Sequence, residues 1–280
     1  MTEIAADPSH PRYQSLLMRH RLEEAEKKGM LAGSALIAHG RGEAFDYLLG
    51  EQTIPSALRA TQQALALLSS AKRPVISLNG NVVALAGKEV LHLAHQLKCP
   101  VEINIFYRTP ERMKALLGHL NEIKLQEKLD VEILGAEPDA RIPGLEGPRA
   151  NCTKQGIFES DVLLVPLEDG DRCEALVAMG KTVLVIDLNP LSRTARMASV
   201  TIVDELSRVI TNMNEMLHSG KVAQPDDHYQ NNQIIAVLDI DSPDIGRFDL
   251  VDKSGLSQIV DLLQATFCST NEVEAGSSVQ

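Results

Sequence analysis

The sequence predicts an α/β fold: a doubly wound, Rossmann-like parallel sheet of about six strands with a helical N-terminal portion. Three observations carry that expectation. Short runs rich in Val, Ile and Leu at 74–79, 100–106, 131–135, 161–167, 182–188 and 200–204 read as strands. Most of these runs are apolar at consecutive positions, as strands buried on both faces are. Helix-length segments separate most of them at a repeat of roughly 25 residues, the alternation that builds a parallel sheet.

Before the first strand, residues 11–28 read as a helix, with Ser9 as its cap, Pro11 in the first turn and Gly29 as its stop. Leu16, Leu17 and Leu22 form its apolar stripe, and Arg19 is set to point elsewhere. In residues 34–50 an apolar segment runs into His39, Gly40, Arg41, Gly42 and Glu43. Two glycines beside an arginine read as a tight loop that presents Arg41 at a helix start, where anions bind. The competing reading is a helix-to-helix turn with Arg41 paired to Glu43 or Asp46. A helix at 53–72 follows, capped by Thr53 or Ser56.

Within the sheet region, helices are expected at 83–97, 110–128, 172–180 and 205–218. Residues 136–154 read as a long loop holding Arg141, Arg149 and Lys154, and loops of that length are often functional. The division expected is a helical portion at 1–72, a Rossmann-like core at 73–220 and an extension at 221–280. That extension has an apolar stretch at 234–238, a helix at 256–267 and a disordered acidic end.

Composition narrows the function. A net charge of −11, aromatics at 3% and no Trp argue against a nucleic-acid partner. No apolar run is long enough for a bilayer, and the N-terminus lacks the apolar core of a signal peptide. Cys99, Cys152, Cys173 and Cys268 form no CxxC motif and read as reduced thiols, so a cytoplasmic location is expected.

Ligands of open parallel sheets sit beyond the carboxyl ends of the strands. Those ends carry Asn79 and Asn81, Tyr107 and Arg108, Glu168, Asp169 and Asp171, Asp187 and Asn189, and Asp204. The stretch TVLVIDLNPLSRT, 182–194, is the strongest case, with Asp187, Asn189, Ser192 and Arg193 expected to line a pocket. Glu168, Asp169 and Asp171 form an acidic trio suited either to Mg²⁺ or to a helix start. The first strand leads into NGNVVALAG, without the GxGxxG turn of a nicotinamide-dependent oxidoreductase. Residues alone lead to an α/β enzyme or sensor for phosphorylated ligands.

Seven stretches add more: HPRYQSLLMRHRL, SALIAHGRGEAFDYLLGEQT, AKRPVISLNGNVVAL, NIFYRTPER, DARIPGLE, VLLVPLEDGDRCEALVAMGK and IDLNPLSRTARMASVTIVD. From about residue 10 to about residue 209 the chain resembles the archaeal phosphopantothenate synthetases. The resemblance implies a ligase that condenses 4-phosphopantoate with β-alanine, using ATP and releasing AMP and diphosphate through an acyl-adenylate, in coenzyme A biosynthesis. It implies Mg²⁺ and a homodimer. It also implies nucleotide contacts at Arg19, Arg41, Asp187, Leu188, Asn189, Arg193, Thr194, Glu205 and Leu206, the last two through backbone. The phosphate of phosphopantoate is expected at Asn81, Arg108 or Arg141, and Arg41 and His39 are the catalytic candidates.

Overall fold

The computed structural model describes residues 7–231. The expectations for 234–238, 256–267 and the acidic end fall outside those residues. Helices α1 (Tyr13–Lys27), α2 (Ala35–Leu48) and α3 (Pro55–Ser70) come first. Then follow β1 (Pro74–Leu78), α4 (Gly80–Leu97), β2 (Val101–Ile103), α5 (Pro110–Gln126) and β3 (Ile133–Leu134). A small hairpin, β4 (Ala140–Arg141) and β5 (Asn151–Cys152), precedes β6 (Val162–Pro166) and α6 (Gly170–Ala178). The described chain closes with β7 (Thr182–Ile186), α7 (Arg193–Met197), β8 (Val200–Ile202) and α8 (Leu206–His218).

The main sheet has the order β3-β2-β1-β6-β7-β8, and every pairing in it is parallel. From β1 the chain moves outward to β2, and from β6 it moves outward the other way to β7. Successive connections therefore diverge between β1 and β6, which is the switch point where such sheets bind ligands. The expected doubly wound α/β fold is the one observed.

The period of two along each strand divides the core into two layers. Ile76, Leu78, Leu164, Leu184 and Ile186 face one layer with residues of α1, α3, α4, α5 and α8. Val75, Leu163, Val165, Val183 and Val185 face the other, against Ile142, Cys152, Ile157, Cys173 and Leu176. Each such side chain taken fully from water contributes about 1.5–3 kcal/mol, and burial on both faces explains the continuous apolar runs. Cys99 lies in the first layer, and Cys152 and Cys173 lie in the second. All three are buried free thiols, and burial pushes each thiol up to about 12.

Several local expectations are corrected. Residues 34–50 hold no loop before a helix: Gly40, Arg41 and Gly42 lie in the middle of α2. Arg41 pairs with neither Glu43 nor Asp46, because those carboxylates turn inward to Arg19 and Arg208. Ser9 does not cap α1; its hydroxyl donates to Asp7 Oδ1, at 2.6 Å. Thr53 does not cap α3; it donates to Asp204 Oδ2, at 2.6 Å, and Pro55 opens the helix. The loop at 136–154 folds as the β4–β5 hairpin with a short 3₁₀ turn, Pro148–Ala150. Buried Glu102 on β2 fixes this segment and the turn after it, accepting the N–H of Thr153 and of Ile157, each at 2.7 Å. Burial raises that carboxyl above its usual range despite the two hydrogen bonds.

No helix among the described residues is long and apolar enough to cross a membrane.

Candidate active site

The carboxyl ends of the strands open into a cavity of about 880 Å³, a usual size for a small-molecule site. Its floor is the switch point itself. Asn79, at the end of β1, caps α4 by accepting the Val82 N–H at 3.1 Å. The same side chain donates across the switch to Pro166 O at 3.2 Å and Leu167 O at 2.9 Å. Asn79 therefore holds the two diverging loops at a fixed separation.

On the β7–β8 side, Asp187 organises its own loop. It accepts the N–H of Asn189 at 2.9 Å and the hydroxyl of Ser192, which in turn caps α7 by accepting the Ala195 N–H. No cation accompanies Asp187 among these partners, and burial raises its carboxyl above the usual range, opposed by the two hydrogen bonds. Arg193 lies over Gly170, where any Cβ would sit 2.8 Å from the arginine's own Cβ, so only glycine fits. The Arg193 guanidinium reaches Asp171 and Glu174. Glu205, which borders the cavity, caps α8 with its carboxylate, accepting from the N–H of Ser207 and of Arg208.

Helix α2 is the opposite wall and is held by charge. Glu43 takes Arg19 at 2.7 Å and Arg12 at 3.2 Å, with the Ser15 hydroxyl beside them. Burial works against the Glu43 carboxylate, yet the Arg19 and Ser15 hydrogen bonds hold it below its usual range. Asp46 takes Arg208, which also binds Asp204, so α2 is tied to α1 on one side and α8 on the other. Arg41 and His39 line the cavity from α2. The His39 Nε2 is buried without a partner among the described residues, and burial lowers that imidazole's pKa, so it is neutral near pH 7.

At the switch point stands an arginine–carboxylate network. Arg149, from the hairpin segment, donates to Asp169 at 2.6 Å, to Glu168 at 3.0 Å and to Asn104 at 3.3 Å. Glu168 also binds fully buried Arg172, which donates to Ser77 on β1 at 3.0 Å.

Of the nine nucleotide residues expected from sequence, eight line this cavity: Arg41, Asp187, Leu188, Asn189, Arg193, Thr194, Glu205 and Leu206. Arg19 does not; it is committed to Glu43. Asn81 lines the cavity, but Arg108 and Arg141 do not. Arg108 donates to the carbonyls of Gly135 and Ala136, and Arg141 lies exposed against Asn151 and Glu146. Glu168, Asp169 and Asp171 do not converge as metal ligands, since arginines engage all three. Among the described residues no three His, Cys, Asp or Glu side chains are placed to hold a metal. This donor set does not fit the Mg²⁺ site expected from the sequence.

The family model for phosphopantothenate/pantothenate synthetases matches residues 56–242. The chain belongs to that family. It is 50% identical over 231 residues to a 4-phosphopantoate–β-alanine ligase of Thermococcus onnurineus, covering 82% of this chain and 85% of the relative. It is 53% identical over 213 residues to the ligase of the same name from Thermococcus kodakarensis, covering 76% and 80%. The Methanosarcina mazei ligase is 48% identical over 221 residues, covering 79% and 84%.

In this synthetase-family site, two arginines escaped the reading of the sequence as site residues. Arg149 reads from the sequence only as one basic group in a long loop, and Arg112 carries no expectation there. Both line the cavity. The available signal was position: Arg112 lies in the first turn of α5, the helix that follows β2, and Arg149 lies in the segment joining β3 to β6.

Proposed function

We infer that this protein is a ligase that joins 4-phosphopantoate to β-alanine with ATP, forming 4′-phosphopantothenate for coenzyme A. The observation that carries this reading is identity near 50% with ligases of that name over most of the chain. The geometry supports it. Seven of the residues expected at the nucleotide, 187–189, 193–194 and 205–206, come from the segments after β7 and β8, Arg41 comes from α2, and the β1–β2 side of the same cavity remains for the acid.

In this reading the phosphopantoate carboxylate attacks the α-phosphate of ATP and diphosphate leaves. The β-alanine amine then attacks the acyl carbon of the acyl-adenylate and AMP leaves. The first step brings two anions together, which demands fixed positive charge and close alignment. Arg41 has no hydrogen bond or ion pair among the described residues and is free to meet phosphate. Arg149, neutralised by Glu168 and Asp169, holds the loops at the switch point in place beside it. Neutral His39 suits acceptance of the amine proton. Mg²⁺ is part of this proposal only as the companion of ATP, with no protein ligand assigned.

Helix α2 supports a homodimer. It exposes Ile37 at 70%, Tyr47 at 62% and Leu48 at 58%, while its buried positions are Glu43 and Asp46. An apolar outer face of this kind favours a partner surface. Sedimentation velocity checks it, and a monomer at micromolar concentration refutes it.

The activity test mixes protein, ATP, Mg²⁺, 4-phosphopantoate and β-alanine and follows AMP and phosphopantothenate. Both products are expected together, and only with the phosphorylated acid. ATP binding without AMP in any mixture would sink the ligase reading.

A further inference from the structure

The acid substrate of the proposed reaction carries a phosphate at the end remote from its carboxylate, and neither Arg108 nor Arg141 reaches the cavity to meet it. Arg112 does. Its guanidinium donates to two carbonyls, Tyr107 O at 2.6 Å and Met30 O at 3.2 Å, and to no carboxylate among the described residues. Its Nε is buried without a partner. Burial alone pulls the Arg112 pKa down, with no carboxylate to oppose it. A guanidinium has five N–H donors, so two carbonyls leave most of its capacity unused. A half-buried cation without a counterion is costly unless an anion completes it.

The neighbourhood points the same way. The guanidinium packs on the first residue of α4: a Cβ built on Gly80 would lie 3.3 Å from Arg112 Nη2, 2.8 Å from Leu31 Cδ2 and 3.0 Å from Met30 O. Gly80 is therefore the residue that lets the Arg112 guanidinium come against the start of α4. Asn81, at the next position, lines the same end of the cavity. In the sheet, β2 and the loop after it lie one to two strand spacings, at about 4.8 Å each, from the switch point. Three carbons separate the carboxyl carbon of 4-phosphopantoate from its phosphoester oxygen, a span that distance accommodates.

We propose that Arg112, with Asn81, forms the phosphomonoester subsite that selects a phosphorylated acid over its free alcohol. This rests on the ligase reading for the identity of the acid, and on the uncompensated Arg112 for the place of its phosphate. The subsite leaves the carboxylate directed toward Arg149 and the α-phosphate.

The test compares wild type with Arg112→Gln and Arg112→Lys. It uses steady-state kinetics with 4-phosphopantoate and with pantoate, and calorimetric titration with inorganic phosphate in the absence of ATP. Arg112→Gln is expected to raise KM for 4-phosphopantoate at least tenfold, leave KM for ATP within twofold, and abolish phosphate binding. Arg112→Lys is expected to recover part of both losses, which a purely structural role at the two carbonyls would not require. Unchanged KM for 4-phosphopantoate in Arg112→Gln overturns the subsite and leaves the ligase reading standing. Equal loss of affinity for ATP and for the acid also overturns it, because the defect would then be one of folding. Wild type that makes no phosphopantothenate yet binds phosphate only with Arg112 intact sinks the ligase reading and keeps the subsite. Wild type that does neither overturns both.

Discussion

Arg149 and Arg112 line the same cavity on either side of its floor, and they are held in opposite ways. Arg149 is buried and saturated by Glu168, Asp169 and Asn104. Arg112 is held by two carbonyls and keeps an uncompensated charge. A neutralised guanidinium is part of the frame, because its position is set whether or not ligand is present. An uncompensated one is a binding group, because ligand completes its electrostatics. The acids repeat the contrast. Glu168 is enclosed by two arginines, whereas Asp187 is supported by a hydroxyl and an N–H alone.

The contrast breaks most readily at Glu168. Glu168→Ala leaves Arg172 buried without its carboxylate and Arg149 with Asp169 alone, and should cost about 3–5 kcal/mol, read by urea unfolding. A loss under 1 kcal/mol would mean that water replaces the carboxylate and that no frame exists. Asp187→Asn should act in the other direction. A carboxyl whose folded pKa lies above its unfolded value of 3.8 loses stability as pH rises through the window between them, and the cost persists at pH 7. The amide removes that cost, so Tm should rise while KM for ATP increases roughly tenfold, the loss of one good polar contact. A fall in Tm would show that the Ser192 and Asn189 hydrogen bonds outweigh desolvation.

Smaller effects sharpen the distinction. Arg193 is exposed and bridges Asp171 and Glu174 on the surface. Arg193→Ala should therefore leave Tm unchanged and raise KM for ATP, since exposed ion pairs add little to stability. A marked drop in Tm would place Arg193 in the frame with Arg149. The smallest effect is at His39. Burial holds its pKa below 6.5, so the unfolded chain binds more protons in the window below 6.5. Its contribution is complete above that value and is lost as pH falls through the window. Melting at about pH 5.5 and about pH 7.5 should show a smaller difference in His39→Gln than in wild type. An equal difference would assign the dependence to His119, whose imidazole burial also lowers.

The sheet was legible because strands buried on both faces leave an unmistakable apolar run, and β1, β6 and β7 fall within such runs. The β7 loop was legible because Asp187, Asn189 and Ser192 bond within five residues of one another. What failed depended on distant partners. Two glycines, each costing a helix interior about 1 kcal/mol, made residues 34–50 look like a loop. The ion pairs of Glu43 with α1 and Asp46 with α8 keep α2 helical, and neither partner is near in sequence. Arg112 and Arg149 carry no local motif, and only the folded β2 and hairpin segments bring them to one cavity.

The buried thiols give the two layers of the core separate clocks. With Cys268 changed to Ser, a thiol reagent can reach Cys99 only when the layer beneath α4 opens, and Cys152 or Cys173 only when the hairpin side opens. Thiols pushed up to about 12 are almost wholly protonated at neutral pH and unreactive while enclosed. The labelling rate of each position therefore reports how often its own layer comes apart. Ligands that bind at the switch point should slow the clock on the side they seal.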